Sequence, residues 1–497
     1  MLAKDKAPPS ANLPNIVFIM VDQMRGDAMG CSGNPIVQTP NLDRLASSGA
    51  LFLRAYSSTP ACKPARAALL SGLSPWRHGA LSHVNQAPEY PHEPLSLLRS
   101  RGYYCMGIGK MHFFPRDNKH AYHQIQYDFA ATKDYVWWFR AQAPGLEVDS
   151  TGLDANDYRQ RYYGHETRLN VVRWTGDRAV DFIENYPKNV ERENQPFFLK
   201  VSFTKPHSPY DAPKEYCEFY EKNRDKIPPR ALGDWCGENA RQGEALPNDL
   251  HRGDLGPEAP TQAKIGYYGN ITFIDDEIGR ILDALRKKGL LDNTLILFTS
   301  DHGDMLGDHH LWRKSRPYEG SARVPMVVWW GEKLGMENRR GIQLSNPVEL
   351  RDVPISFLDA AGASFRDEWY DGRSLLALIR DPGCEWRPYL DLEFAKAYER
   401  GNSWSALTDG RMKYIFHGRS GEEQLFDLTR DPQELRNLAH VQEYRETLLL
   451  WRERLVRFLA PRGEDYVREG KLVYPRDAKD FSPNFPKKPS KERETIR

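Results

Sequence analysis

The residues best suited to covalent or anion chemistry lie between Thr59 and Gly72, where Cys62, Pro64 and Arg66 alternate along a short stretch. Pro64 suits the first turn of a helix running to about Leu70, because its missing N–H would find no partner there. Cys62 then stands at the amino end of that helix, where unpaired N–H groups and the helix dipole favour negative charge. Arg66, one turn on, can bring its guanidinium back to the same point as a bidentate partner for an oxyanion. A nucleophile or a bound anion would be stabilised there. The plainer alternative is a buried cysteine at the start of an ordinary helix with a surface arginine, since free cysteine commonly serves as packing.

Two distant segments add a candidate metal site. Asp22 ends the apolar run from Asn15 to Val21, and Asp301 and His302 follow the run from Thr294 to Thr299. Ligands in open parallel sheets collect at the carboxyl ends of strands, so both carboxylates would reach one edge. With the amide oxygen of Gln23 and the imidazole of His302 they make a divalent site. The hard oxygens favour calcium and the imidazole moves the balance towards manganese. Each aspartate alone also fits a loop or capping role. His207 follows the strand-like run from Phe197 to Phe203, which suits a catalyst or a structural hydrogen-bonder of the loop. Lys314, between Arg313 and Arg316, reads from its neighbours alone as a solvated charge. Asn85 is a candidate substrate contact, and the adjacent His309 and His310 are placed behind the site or on the surface.

These residues need a scaffold that gathers strand ends. The continuous β-branched run from Asn15 to Val21 suits a strand covered on both faces, as in a parallel sheet. Thr39 and Pro40 open a helix, with Thr39 as its cap and Leu42, Leu45 and Ala46 as its apolar stripe. Helical patterns follow around His165 to Tyr186 and Ala263 to Lys288, with strands around Phe197 to Phe203, Thr294 to Thr299 and Met326 to Trp330. Strands alternating with helices predict an α/β fold with a large, mainly parallel sheet flanked by helices. Beyond Gly372 the grammar changes to hairpins: Ser405 to Thr408, Met412 to His417 and Gln424 to Leu428 are short runs broken by Asp409-Gly410 and Ser420-Gly421. A helix from about Val441 to Leu459 follows. The expected organisation is a catalytic domain over 1–380 and a smaller α+β domain with an antiparallel sheet over 381–497. Its last stretch, from Tyr474 with four prolines, either wraps a surface or is loose. The segment Tyr135 to Phe139, with Trp137 and Trp138, reads as a buried anchor, with ring stacking on substrate as the other possibility.

Composition limits the partners. The 497 residues carry 69 Lys+Arg against 68 Asp+Glu, a net charge of +1. That balance argues against a nucleic-acid or acidic-membrane binder, which needs a broad basic surface. Any anion recognition is therefore local. No apolar run reaches the ~20 residues of a membrane span. The first apolar run is shorter than a secretory core and lacks a small-residue cleavage site, which predicts a cytoplasmic protein. Six scattered cysteines without a C-x-x-C pair exclude a disulfide scaffold and a thiolate zinc site.

C-x-P-x-R followed by A-L-L-S-G resembles the motif of the type I sulfatases, of the alkaline-phosphatase-like superfamily. Gly102-Tyr103 leading to Gly109-Lys110-Met111-His112 is similar to another family element, with Met111 where tryptophan is usual. Ser300-Asp301-His302-Gly303, then Lys314, Tyr318-Glu319-Gly320 and Arg323-Val324-Pro325, resembles the second metal segment. Leu425 to Leu428 with Asp431-Pro432 and Asn437-Leu438 resembles the C-terminal domain. Asp22-Gln23 and Asp301-His302 stand where many sulfatases have two aspartates and an asparagine. They are similar to the pairs of choline-sulfatase-like enzymes and of phosphonate monoester hydrolases, whereas Lys110 and His112 match the sulfatases. The resemblance implies that Cys62 is oxidised by a maturation enzyme to Cα-formylglycine, whose hydrate attacks sulfur beside a metal held by Asp22, Gln23, Asp301, His302 and the modified Cys62. It implies that Arg66 and Lys110 hold the reacting oxygens, that His207 and Lys314 serve the leaving alcohol, and that His112 takes the proton that expels sulfate. The expected activity is hydrolysis of an aryl or saccharide sulfate. A phosphonate or phosphodiester hydrolase and a silent sulfosugar-binding protein are the alternatives.

Overall fold

The computed structural model describes residues 13–83, 85, 88–113, 118–128, 133–186, 195–241, 250–398, 402–473 and 478–486. Strand β1 (Asn15–Asp22) is buried along its whole length. Its alternate side chains enter two different cores: Val17, Ile19 and Val21 on one face, Ile16, Phe18 and Met20 on the other. That two-sided burial is why the run is apolar throughout instead of alternating. The strands that follow are β2 (Ala50–Phe52), β3 (Ala55–Tyr56), β4 (Tyr104–Gly109), β5 (Gln124–Tyr127), β6 (Phe197–Pro206), β7 (Thr294–Ser300), β8 (Met326–Trp330), β9 (Ile342–Leu344) and β10 (Val348–Glu349). Eight of them form one sheet in the order β5-β4-β6-β1-β7-β8-β2-β9, and β3 and β10 pair separately.

The five strands from β5 to β7 are mutually parallel. β8 is the antiparallel member of this mainly parallel sheet, running against both β7 and β2. The loop from Asp301 to Pro325 returns along the carboxyl edge, so β8 re-enters the sheet from that side. The helices Val171–Glu184 and Glu258–Lys287 cover one face. Asp352–Ala360 and Leu375–Arg380 cover the other. The helix Pro40–Ser47 forms with Leu42, Leu45 and Ala46 buried, as its stripe predicts, but the Thr39 side chain does not cap it. Thr39 Oγ1 instead accepts from Gly30 N at 2.9 Å and donates to Asp43 at 3.0 Å.

A second, antiparallel sheet joins β11 (Leu390–Phe394), β12 (Trp404–Thr408), β13 (Met412–His417) and β14 (Glu423–Asp427). The hairpin signals locate β12 to β14; β11 has none, because a long connection precedes β12. The helix Arg445–Leu459 packs through Leu448, Trp451 and Leu455 on Leu407 and Tyr414. Of the last stretch, Ala478 to Pro486 lies against the main body, with Phe481 bridging to Ala80. Tyr135 and Phe139 are anchored in the core, whereas Trp137 is 58% exposed, against the expectation for that residue. No helix among the described residues is long and apolar enough to cross a membrane.

Lys413, fully buried on β13, ties the second sheet to the segment that connects β7 and β8. Its Nζ lies 2.7 Å from Glu319 Oε1 and 2.8 Å from Glu434 Oε1. Removing one member of a buried ionic cluster strands the others, at about 3–5 kcal/mol. Lys413→Met is therefore expected to lose stability of that order in denaturant unfolding.

Candidate active site

The sheet register brings the predicted residues together. Val21 pairs with Ser300 on β7 and Phe203 on β6, and Gly109 pairs with Ser202. Four neighbouring parallel strands thus end level, and Lys110, His207, Asp22 with Gln23, and Asp301 with His302 all emerge at one edge. Gly109 has to be glycine: its φ is +91°, and a Cβ would sit 2.1 Å from the Ser202 carbonyl oxygen. Gln23 and His112 also hold left-handed backbone, at φ 75° and 56°, as do Arg313 and Ser315 on either side of Lys314. Non-glycine residues in that region store strain that the surroundings must enforce, and they gather at functional sites.

Cys62 is the first residue of the helix Cys62–Ser71 and is buried. Its Sγ lies 3.2 Å from His302 Nε2, 3.6 Å from Asp22 Oδ1 and 3.2 Å from Lys314 Nζ. Burial alone would raise the thiol, but Lys314, Lys110 and His302 hold it well below the usual range. Cys31, Cys105 and Cys217, by contrast, are pushed up to about 12, mainly by burial. A depressed thiol is the reactive one.

Arg66 does not lie on the surface. Its Nε donates to Asp301 Oδ2 at 3.0 Å and its Nη2 to Asp22 Oδ2 at 3.1 Å, spanning both carboxylates. Lys110 Nζ adds a second cation 2.8 Å from Asp22 Oδ2. Burial and Cys62 oppose charge on Asp22, yet Lys110, His207 and Lys314 hold its carboxyl well below the usual range. Asp301 is raised to about 6, by burial and by Asp22.

Lys314 is likewise buried instead of solvated. Its Nζ donates to Gln23 Oε1 at 3.0 Å and meets His207 Nε2 at 2.8 Å. His207 Nδ1 faces the Ser208 carbonyl at 2.7 Å, so it carries the proton and leaves the Nε2 lone pair for Lys314. His112 is held neutral, down to about 3, by burial and by Lys110. Its Nδ1 has no hydrogen-bond partner among the described residues.

Three candidates lie elsewhere. Asn85 is exposed and accepts from Lys63 Nζ, away from the cavity above Cys62. His309 and His310 are buried, so the surface placement fails: His309 Nδ1 accepts from Gly233 N at 3.1 Å and His310 lies 3.7 Å from Asp254. Sequence reading missed Asp304, which accepts from Gln23 Nε2 and from Tyr210 OH, both at 2.6 Å, and so turns the Gln23 amide oxygen inwards. The signal available was a further carboxylate three residues after Asp301.

One atom from each of Asp22, Cys62, Asp301 and His302 falls within 4.8 Å of the others. His302 Nδ1 faces the Gly303 carbonyl at 2.9 Å, which leaves Nε2 as the nitrogen aimed at the cluster. Two carboxylates, an imidazole and the inward amide oxygen of Gln23 fit a divalent cation.

The profile of the Sulfatase family matches residues 14–363. That of the N-sulphoglucosamine sulphohydrolase C-terminal region matches residues 307–460. An arylsulfatase of Clostridium perfringens is 38% identical over 480 residues, covering 93% of this chain and 97% of its own. A choline-sulfatase of Rhizobium meliloti is 33% identical over 444 residues, covering 86% and 82%. In fold, the crystal structure of a phosphonate monoester hydrolase of Agrobacterium radiobacter is similar with a TM-score of 0.75 at 24% identity, covering 93% of this chain and 99% of its own.

Proposed function

Since the chain belongs to the sulfatase family and is a sulfuric ester hydrolase, we propose that it cleaves an aryl or saccharide sulfate at Cys62, converted by a maturation enzyme to Cα-formylglycine, with one divalent cation. The observation that carries this reading is the convergence on Cys62 Sγ of two buried carboxylates, His302 and Lys314. Asp22, Gln23, Asp301, His302 and the modified Cys62 would hold the cation, Ca2+ by the hard oxygens or Mn2+ by the imidazole. When present, the cation supplies Lewis-acid charge and the oxidised side chain supplies the attacking hydroxyl.

The chain's own groups do the rest. Arg66 and Lys110 fix Asp22 and Asp301 as charged acceptors and place positive charge beside a sulfuryl group. Lys314 Nζ stands between Cys62 and His207, in reach of a departing alkoxide that it can protonate, while the His207 Nε2 lone pair accepts from Lys314 and holds its ammonium in place. His112, neutral and hydrogen-bonded to Cys62, is placed to accept the proton released when sulfate leaves.

Gln23 and His302 favour one second reading, phosphonate monoester hydrolysis, as the sequence pairs resemble those enzymes. Turnover of 4-nitrophenyl sulfate against a phenyl phosphonate monoester separates the two. A kcat/KM for the sulfate at least tenfold higher is expected, and the reverse order overturns the proposal. Chelation followed by dialysis is expected to lower sulfate turnover by about 100-fold or more, the scale of losing one electrostatic stabiliser. Added Ca2+ or Mn2+ should restore it, and full activity in the stripped protein would refute the metal assignment.

A further inference from the structure

The cavity above Cys62 measures about 870 Å3, far more than a sulfuryl group fills, and part of its wall comes from the C-terminal part of the chain. Three distant segments are stitched together there. Ala395 N donates to Leu81 O at 2.8 Å, Leu81 N to Asp480 O at 2.9 Å, and Ser482 N to Gly79 O at 2.9 Å. Phe481 and Phe485 lie in a small core with Ala67 of the Cys62 helix, Ala80 and Tyr90. Gly79 leaves no room for a side chain against Phe485, whose backbone N would stand 2.5 Å from a Cβ.

This stitching sets three polar side chains in the cavity wall. Asp480 Oδ1 accepts from Ser82 Oγ at 2.5 Å and Oδ2 from Lys396 Nζ at 2.9 Å. The Lys396 and Asp480 side chains are 32% and 30% exposed, so each keeps an open side. An ammonium has three donors and a carboxylate about four acceptor positions, so both retain capacity after pairing. The pair presents a donor beside an acceptor with no net charge. Adjacent hydroxyl groups match that pattern; a second anion does not, because Asp480 already neutralises the cation it would need.

We propose that Ser82, Lys396 and Asp480 form a subsite for the alcohol half of the substrate that takes the neighbouring hydroxyls of a neutral sugar and disfavours a further anionic group. The subsite rests on the sulfatase reading above. None of the three residues touches Cys62, so they act on choice of substrate and not on the chemical step.

The test compares kcat/KM for glucose 6-sulfate, glucosamine 2-N,6-O-disulfate and 4-nitrophenyl sulfate in the wild-type protein, Lys396→Met, Lys396→Arg and Asp480→Asn, with a thermal midpoint for each. Lys396→Met should lower the ratio of glucose 6-sulfate to 4-nitrophenyl sulfate about tenfold, the worth of one hydrogen bond to a charged group. Lys396→Arg, which keeps the donor, should restore most of that ratio. Asp480→Asn leaves Lys396 unneutralised and should raise the ratio of disulfate to monosulfate about fivefold or more. Ratios unchanged within about twofold in properly folded variants, or a wild-type preference for the disulfate, would overturn the subsite. A wild-type protein that cleaves 4-nitrophenyl sulfate but not glucose 6-sulfate would also overturn it while leaving the sulfatase reading intact. Failure on every sulfate ester would strike the reading itself.

Discussion

Cys62→Ala is expected to reduce 4-nitrophenyl sulfate turnover by roughly 10^4-fold or more, the scale on which enzymes lose a covalent nucleophile. The thermal midpoint should barely move, because alanine at the first position of a helix removes no hydrogen bond on which the fold depends. The reason for so large an effect is geometric. His302 Nε2 and Lys314 Nζ each stand 3.2 Å from Sγ, and Asp22 3.6 Å, so three polar groups of the site close on that one side chain. Intact-protein mass spectrometry of the active wild-type protein should show the oxidised residue. An unmodified thiol in fully active protein, or substantial turnover by Cys62→Ala, would exclude the proposed nucleophile. Cys105→Ala and Cys217→Ala provide controls, since burial holds both thiols at about 12 and neither lines the cavity.

Arg66→Met carries the second large effect, on activity and stability together. The guanidinium lies 3.1 Å from Asp22 and 2.9 Å from Asp301, all three side chains being 4% exposed or less. Methionine fills a similar volume but leaves two buried carboxylates facing each other with one cation fewer. Breaking a buried ionic set in this way costs about 3–5 kcal/mol. kcat/KM for the aryl sulfate should fall about 100- to 1,000-fold, the usual loss of one oriented charge at a reacting oxyanion. Because a divalent cation would partly replace the missing charge, adding Ca2+ or Mn2+ should raise the thermal midpoint of Arg66→Met more than that of the wild-type protein. Equal shifts in the two proteins would separate Arg66 from the metal cluster.

How much of this was legible in the chain depended on how local each signal is. The strands β1, β7 and β8 were readable because each contains an unbroken apolar run, the mark of burial on both faces, and β6 because Phe197 to Phe203 is apolar except for Lys200 and Ser202. The Cys62 helix was readable because Pro64 constrains its start and Arg66 lies one turn on. β11 has the alternation of a strand, Leu390, Leu392 and Phe394 against Asp391 and Glu393, but no turn residues pair it with β12 across the long connection between them. The direction of β8 was also hidden, as a run of five apolar residues looks the same in either orientation. Lys314 read as a solvated charge and is buried, because its burial comes from packing against Cys62, Gln23 and His207, which are remote in sequence. Asn85 shows the opposite error: it follows the Cys62 helix closely, yet its side chain turns to Lys63.

By itself, the sequence determined the chemistry on offer: one cysteine at a helix start, carboxylates and imidazoles at strand ends, and a near-neutral chain whose positive charge must act locally. Hydrophobic periodicity and turn residues act over a few positions, so these features can be read from short stretches. Only the tertiary structure decided which groups meet. The level ending of β4, β6, β1 and β7 brings Lys110, His207, Asp22 and Asp301 to one point, and the strap from Ala478 to Phe485 carries Asp480 to Lys396. Such contacts span up to hundreds of residues and are set by sheet register and packing, which no local pattern encodes.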